Sequence, residues 1–327
     1  MRIPPRTRII ASSLAMLGLI AAAQAPVSAQ EFPNRAIEII VPLSAGGVSD
    51  IAVRKLAPSM SKTLGAPVVI ENQPGAGATL GTGAAAKATP DGYTVALAAA
   101  SSFSINPHLR KNLPYDPVKS FEPVCRIGGS PSVLVAHPSL GVKSVQELIE
   151  KAKEGNLSFA SSGPGTPSHL AQELLKARTN VQFLHVPYRG TSQSVTDAIG
   201  GHVQLLFESP GAISGAVRTK ELIGLGILSP KRLPALPDVP TFEELGFEGM
   251  ELIGWIGLVV PAGTPTEVID KLEKACHDAV SSPDFQKLAD EQGLLVAYAP
   301  REEFRKHIAS ELNKWGELVQ RSGLKPE

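Results

Sequence analysis

Short apolar runs alternate with amphipathic stretches along almost the whole chain, and this alternation limits what the chain can fold into more than any composition figure. Residues 37–41 (IEIIV) and 67–71 (PVVIE) have strand length and β-branched content, and the first is followed by helical spacing over 51–64. Further extended runs occupy 93–98, 121–127 and 132–136. Repeated βα units of this kind predict an α/β fold on a mainly parallel sheet. A second series begins with Ser144 and Glu147, a capping box opening a helix to about Glu154. It continues with a strand over 157–161, a turn and helix over 161–175, and strands over 182–186, 205–207 and 223–227. A Pro-rich loop at 229–240 precedes a strand at 253–260. Thr264 as N-cap, Pro265 at N1 and Glu267 at N3 predict a helix start. The last helix carries Phe304, Ile308, Leu312, Trp315 and Val319 at helical spacing, a core face rather than a ligand face.

The N-terminus has a different character. Arg2, Arg6 and Arg8 precede an apolar run over 9–23, and Val27-Ser28-Ala29 suits a cleavage site for export, with cutting expected after Ala29. That run is shorter than the ~20 residues that span a bilayer. Of 31 basic and 31 acidic side chains, the leader removes three Arg and no acid, leaving a formal charge of −3. There is no basic stripe or tail, so nucleic acid is not an expected partner. About 300 remaining residues are enough for two lobes. Cys125 and Cys276 permit one disulfide, but two separate buried thiols fit the sequence as well.

No GxSxG, HExxH, CxxC or Walker pattern is present, and the seven histidines are scattered rather than set at metal-ligand spacing. No catalytic residue, metal or cofactor is expected. PGAGATLG at 74–81 follows a strand and opens a helix, yet its GxGxxxG spacing and lack of a well-placed acid favour a turn with close helix packing over a dinucleotide loop. Two other loops have anion-site character: PLSAGGVSD at 42–50 and SSGPGTPSH at 161–169. Each places small residues just before a helix N-terminus, where free N–H groups and about half a positive charge point outward. Either alone reads as an ordinary capped turn. Their recurrence in two βα halves suggests a shared cleft.

At these loops the sequence resembles the solute-binding proteins of tripartite tricarboxylate transporters, the Bug family. The resemblance runs over 32–323. It is carried by IEIIVPLSAGGVSDIAVR (37–54), VVIENQPGAG (68–77), PDGYT (90–94), INPHL (105–109), LPYDPVKSFEPV (113–124), FASSGPGTPSHLAQELL (159–175), HVPYRG (185–190), ALPDVPTFEELG (235–246) and WIGLVVPAGTP (255–265). It implies a periplasmic binding protein fold of type II, two Rossmann-like lobes with a ligand cleft between them. Lobe 1 would comprise 30–128 plus 254–327 and lobe 2 residues 129–253. It implies capture of a small organic carboxylate in the periplasm, delivery to a membrane permease, and a monomer. It places Ser44, Ala45, Gly46, Gly47 and Ser49 in one jaw and Ser162, Gly163, Thr166 and Ser168 in the other, with Ser101 and Ser102 facing the rest of the ligand. Glu208 stands where the family usually has Asp, to answer a ligand amine, orient water or close the lobes. Arg189 replaces the commoner Lys and either pairs with a second ligand carboxylate or forms a surface ion pair. Asp50 is expected to interact with its own helix N-terminus. The competing readings are an exported hydrolase, or a sensor protein that delivers its ligand to a receptor.

Overall fold

A computed structural model describes residues 31–155 and 157–325; the expected leader and its cleavage site lie outside them. The chain forms two mixed sheets. The first has strand order β11-β4-β10-β3-β1-β2, with β1 at Ile37–Val41, β2 at Val68–Asn72, β3 at Thr94–Ala99, β4 at Phe121–Pro131, β10 at Ile253–Pro261 and β11 at Leu295–Pro300. The second has order β7-β6-β8-β5-β9, from β5 at Val133–Ala136, β6 at Ser158–Ser161, β7 at Leu184–Pro187, β8 at Leu205–Glu208 and β9 at Ile223–Ile227.

The sequence pattern suggested mainly parallel sheets, and the structure corrects this. Strands β1, β2 and β3 are mutually parallel, as are β6, β7 and β8, but β10 runs antiparallel to β3 and β4, and β5 antiparallel to β8 and β9. The reason is topological. The chain leaves the first sheet along β4 and returns along β10, so the two strands must run in opposite directions. They pair along their whole length, from Ile253 opposite Pro131 to Pro261 opposite Phe121.

Helices cover the sheets: α1 (Val48–Leu64), α2 (Thr79–Ala85), α3 (Asn106–Leu109), α4 (Val145–Lys153), α5 (Pro167–Thr179), α6 (Thr191–Ile199), α7 (Pro210–Arg218), α8 (Thr266–Val280), α9 (Pro283–Gln292) and α10 (Arg301–Ser322). A π-helical turn at Ser101–Ile105 leads into α3. Helix α1 ends at Gly65, whose left-handed φ of 70° lets its N–H reach the Ser61 carbonyl. Pro58 inside α1 sits on its exposed face. Ser144 caps α4 as expected, its Oγ taking the Glu147 N–H, while the Glu147 carboxylate takes the N–H of Lys143 rather than that of Ser144. Thr264 is not a cap. Its hydroxyl donates to the Pro261 carbonyl at 2.8 Å, closing the turn after β10, and α8 begins two residues later.

One buried cluster runs from Phe103 and Phe121 through Trp255 to Phe159 and Phe207, so apolar contact continues across both sheets. Trp255 meets Phe103 and Phe304 with ring centroids 6.1 and 5.7 Å apart. Phe304, Ile308, Trp315 and Val319 are buried as the helical spacing suggested, while Leu312 is half-buried and its carbonyl binds the His108 ring.

Cys125 on β4 and Cys276 on α8 are bonded and fully buried. The bridge closes a loop across 151 positions, which constrains the unfolded chain strongly. Replacing both cysteines by Ser is expected to cost about 2–5 kcal/mol. Urea unfolding of the oxidised protein and of the variant, followed by tryptophan fluorescence, measures that difference.

Candidate functional site

Loops at the carboxyl ends of the parallel strands of both sheets converge on one cavity of about 610 Å³. This is where α/β folds place ligands, and the volume suits a small molecule. One wall comes from the β1–α1 loop with the start of α1, the β2–α2 loop and the end of β3. The opposite wall comes from the β6–α5, β7–α6 and β8–α7 loops. Ser130 to Ser132 and Gly254 to Ile256, on the two strands that pass between the sheets, form the floor.

Ser44, Gly47, Ser49, Asp50, Ser101, Ser162, Gly163, Thr166, Ser168, Arg189 and Glu208 all line this cavity. Ala45, Gly46 and Ser102 lie outside its lining, and each has other work. The Gly46 N–H donates to Asp50 Oδ2 at 2.9 Å. The Ala45 carbonyl accepts from Ser192 Oγ at 3.4 Å. The Ser102 carbonyl accepts from the Tyr115 hydroxyl at 2.7 Å. Thr166 and Ser168 face the cavity, but their hydroxyls donate to the Gly163 and Phe207 carbonyls. They shape the loop, and the donors left for a ligand are largely backbone amides.

Those amides come from helix starts. The first intrahelical bond of α1 runs from the Ile51 N–H to the Gly47 carbonyl, so the N–H groups of Val48 and Ser49 have no partner within the helix. Helix α6 begins the same way, with the Ser194 N–H on the Gly190 carbonyl. In α5 Thr166 is the N-cap and takes the His169 N–H. Partial positive charge therefore faces the cavity from both walls.

Asp50 explains how an acid can stand beside an anion site. Burial alone would raise its pKa, but hydrogen bonds from Arg54, the Gly46 N–H and Asn72 outweigh that and hold it below its ordinary 3.8. The carboxylate is spent on fixing the β1–α1 loop. On the other wall, His169 and His185 stack with centroids 4.3 Å apart beneath the β6–α5 loop. Burial, the neighbouring His185 and Lys176 push His169 down to about 4, so it is neutral at pH 7. Its Nδ1 accepts the Gly165 N–H at 3.4 Å, and Ser161 Oγ meets His185 Nε2 at 2.7 Å.

The two walls touch at both ends of the cavity. Ser44 Oγ donates to the Arg189 carbonyl at 3.1 Å. The Asn106 amide donates to the carbonyls of Gly77, Ser101 and Gly165 at 2.8, 2.8 and 3.2 Å, joining the β2–α2 loop to the β6–α5 loop. A Cβ at Gly77, where φ is +64°, would fall 2.6 Å from the Pro164 carbonyl oxygen.

The sequence reading missed several wall residues. Pro74 to Ala78, read as a packing turn, line the cavity, as do Arg110, Tyr188, Thr191 and Trp255. The glycines of 74–81 carried a signal of close approach, but to another loop rather than to a dinucleotide. Arg110 and Trp255 gave no local signal, since strand and helix positions look alike in sequence whether they face core or cleft. Three buried polar atoms on the cavity wall, Glu208 Oε2, Ser130 Oγ and Trp255 Nε1, lack a hydrogen-bond partner among the described residues.

The chain is similar to known proteins over most of its length. The model of the "Tripartite tricarboxylate transporter family receptor" matches residues 52–324. The periplasmic binding protein BugD superposes with a TM-score of 0.86 and 35% identity over 90% of this chain and 100% of its own. Rpa4515 of R. palustris, solved with adipate, gives 0.87 and 29% over 91% and 100%. MatC of Rhodopseudomonas palustris, solved with malate, gives 0.82 and 30% over 88% and 100%.

Asp50→Asn is expected to destabilise the protein by about 1–3 kcal/mol at pH 7, because a charged hydrogen-bond acceptor is lost. The folded pKa is depressed, so this contribution is present above pH 3.8 and is lost as pH falls through the lower, folded value. Thermal unfolding of both proteins across that range should show the difference shrinking at acid pH.

Proposed function

The chain belongs to the tripartite tricarboxylate transporter receptor family of periplasmic solute-binding proteins, and on that footing we propose that its cleft captures a small dicarboxylate for a membrane permease. The observation that carries this reading is the pair of loops, 42–50 and 161–169, that aim helix starts at one cavity from opposite walls. Backbone amides of Val48, Ser49 and the β6–α5 loop would hold one carboxylate. Arg110 and Arg189, both on the cavity wall, suit a second. Adipate in Rpa4515 and malate in MatC, bound by similar chains, support a ligand with two such groups.

In the same reading residues 1–29 are an export signal removed after Ala29, lobe 1 is 30–128 plus 254–327, lobe 2 is 129–253, and the mature protein works as a monomer. It carries no catalysis of its own. The Ser161–His185 pair resembles half of a nucleophilic dyad, but Ser161 is fully buried and no part of the cavity wall.

A thermal-shift screen of refolded protein against mono-, di- and tricarboxylates, amino acids and aromatic acids tests the proposal, refolding being needed to remove ligand carried through purification. A ligand at 100 times its Kd adds ~2.7 kcal/mol, which moves Tm by several degrees. Shifts confined to dicarboxylates are expected, and a response only to neutral compounds would sink the reading. Arg189→Ala should weaken dicarboxylates by about 1 kcal/mol, as fits an exposed cation, and leave monocarboxylates unchanged.

A further inference from the structure

Glu208 is the last residue of β8, is 7% exposed, and lines the cavity. Its Oε1 accepts the Ser209 N–H at 2.8 Å. Its Oε2 has no hydrogen-bond partner, and no cation reaches the group within ion-pair distance among the described residues. A bare carboxylate here would be unpaired, buried, and facing a cavity whose other features favour an anion. Both conditions disfavour its charge.

We propose that Glu208 keeps its proton and that its carboxyl group, turned to the cavity, hydrogen-bonds through that proton to the bound carboxylate, so that each anion captured is held together with one proton. The proposal rests on the carboxylate reading above. Burial raises the Glu208 pKa, and the Ser209 N–H together with the nearby Thr191, Ser209 and Ser162 hydroxyls offsets only part of that rise. A ligand carboxylate brought beside it would raise it further, as two acids sharing a site do. Neutral Glu208 thereby turns a like-charge clash into a short donor–acceptor contact.

Other groups near β8 do not imitate this behaviour around neutral pH. Strands β5 and β6 carry no titratable residue. On α5, His169 is pushed down to about 4 and stays neutral, Glu173 is paired with Lys176, and Arg178 lies in the last turn, away from β8. On α6, Asp197 is bonded by Tyr188, whose hydroxyl is pushed up to about 12 by burial and by that bond. His185 on β7 is lowered by burial. The remaining charged groups on the wall are Asp50, held by Arg54, and the two guanidiniums of Arg110 and Arg189.

Infrared difference spectra of adipate and malate complexes, wild type against Glu208→Gln, test the protonation directly. The wild-type complex should show the carbonyl stretch of a protonated carboxyl that the variant lacks. In calorimetric titrations at increasing pH, wild-type affinity should fall by up to tenfold per pH unit once pH passes the folded Glu208 pKa. Proton uptake should appear over the same pH range. Glu208→Gln keeps a neutral donor, so it should bind within about threefold at neutral pH and show no slope, whereas Glu208→Leu should lose about tenfold. Bound adipate or malate without the protonated-carboxyl band, or tighter binding by Glu208→Gln at neutral pH, overturns the proposal and leaves the carboxylate reading standing. Binding of neither acid also overturns it, and the wider carboxylate screen then judges the parent reading separately.

Discussion

The antiparallel ladder between β4 and β10 is the constraint on which the rest of the molecule depends. The chain crosses outward along one strand and homeward along the other, so the connection between the two sheets runs through this pair. Its residues are chosen for close approach. Gly257 leaves room for Phe304, and Gly128 for the backbone of β11, where any Cβ would overlap. Cys125 fastens the same ladder to α8, and Trp255 packs it against the π-helical turn and α10. The ladder is a hinge in the topological sense, packed and cross-linked on both sides.

From that hinge the binding surface follows with little help from net charge. Every wall loop leaves the carboxyl end of a strand, and several enter helices whose first N–H groups are unpaired. An anion can therefore be held by dipoles that the fold must produce anyway. The two acids on the wall are reconciled with this in different ways. Asp50 is ionised and consumed by Arg54, Asn72 and the Gly46 N–H. Glu208 has no cation beside it among the described residues, its Oε2 lacks a partner, and burial favours its neutral form.

The sequence made much of this legible, and where it failed the reasons are physical. Strand β1 was read to the residue, since IEIIV is both β-branched and sharply bounded. The two anion loops stood out because Gly, Ser and Thr before a helix have a narrow set of uses. The antiparallel strands did not stand out, because an apolar strand carries no mark of direction. Strand β11, LVAYAP, was missed: a short apolar run with no alternation, between two helices, carries no sign of its edge position. Nor could residue type separate Ser44, whose hydroxyl bridges the cleft, from Ser102, whose backbone serves the core: that difference is set by contacts far away in the chain. The Cys125–Cys276 bond, left open from sequence, depends on a proximity that 151 positions of chain conceal.

The contacts that bring the two walls together use almost no side-chain identity. Ser44 meets a backbone carbonyl, Ser192 meets another, and Gly77, Gly165 and Gly190 contribute backbone and the absence of a Cβ. Asn106 is a larger group among them, and what it meets across the gap is again a backbone carbonyl, that of Gly165. Closing geometry is thus written in main chain, while the residues that face the cavity interior are written in side chains. Mutation can change which molecule is held without changing how the jaws meet. A lineage of such proteins can then diversify its diet one pocket residue at a time, each intermediate still shutting properly.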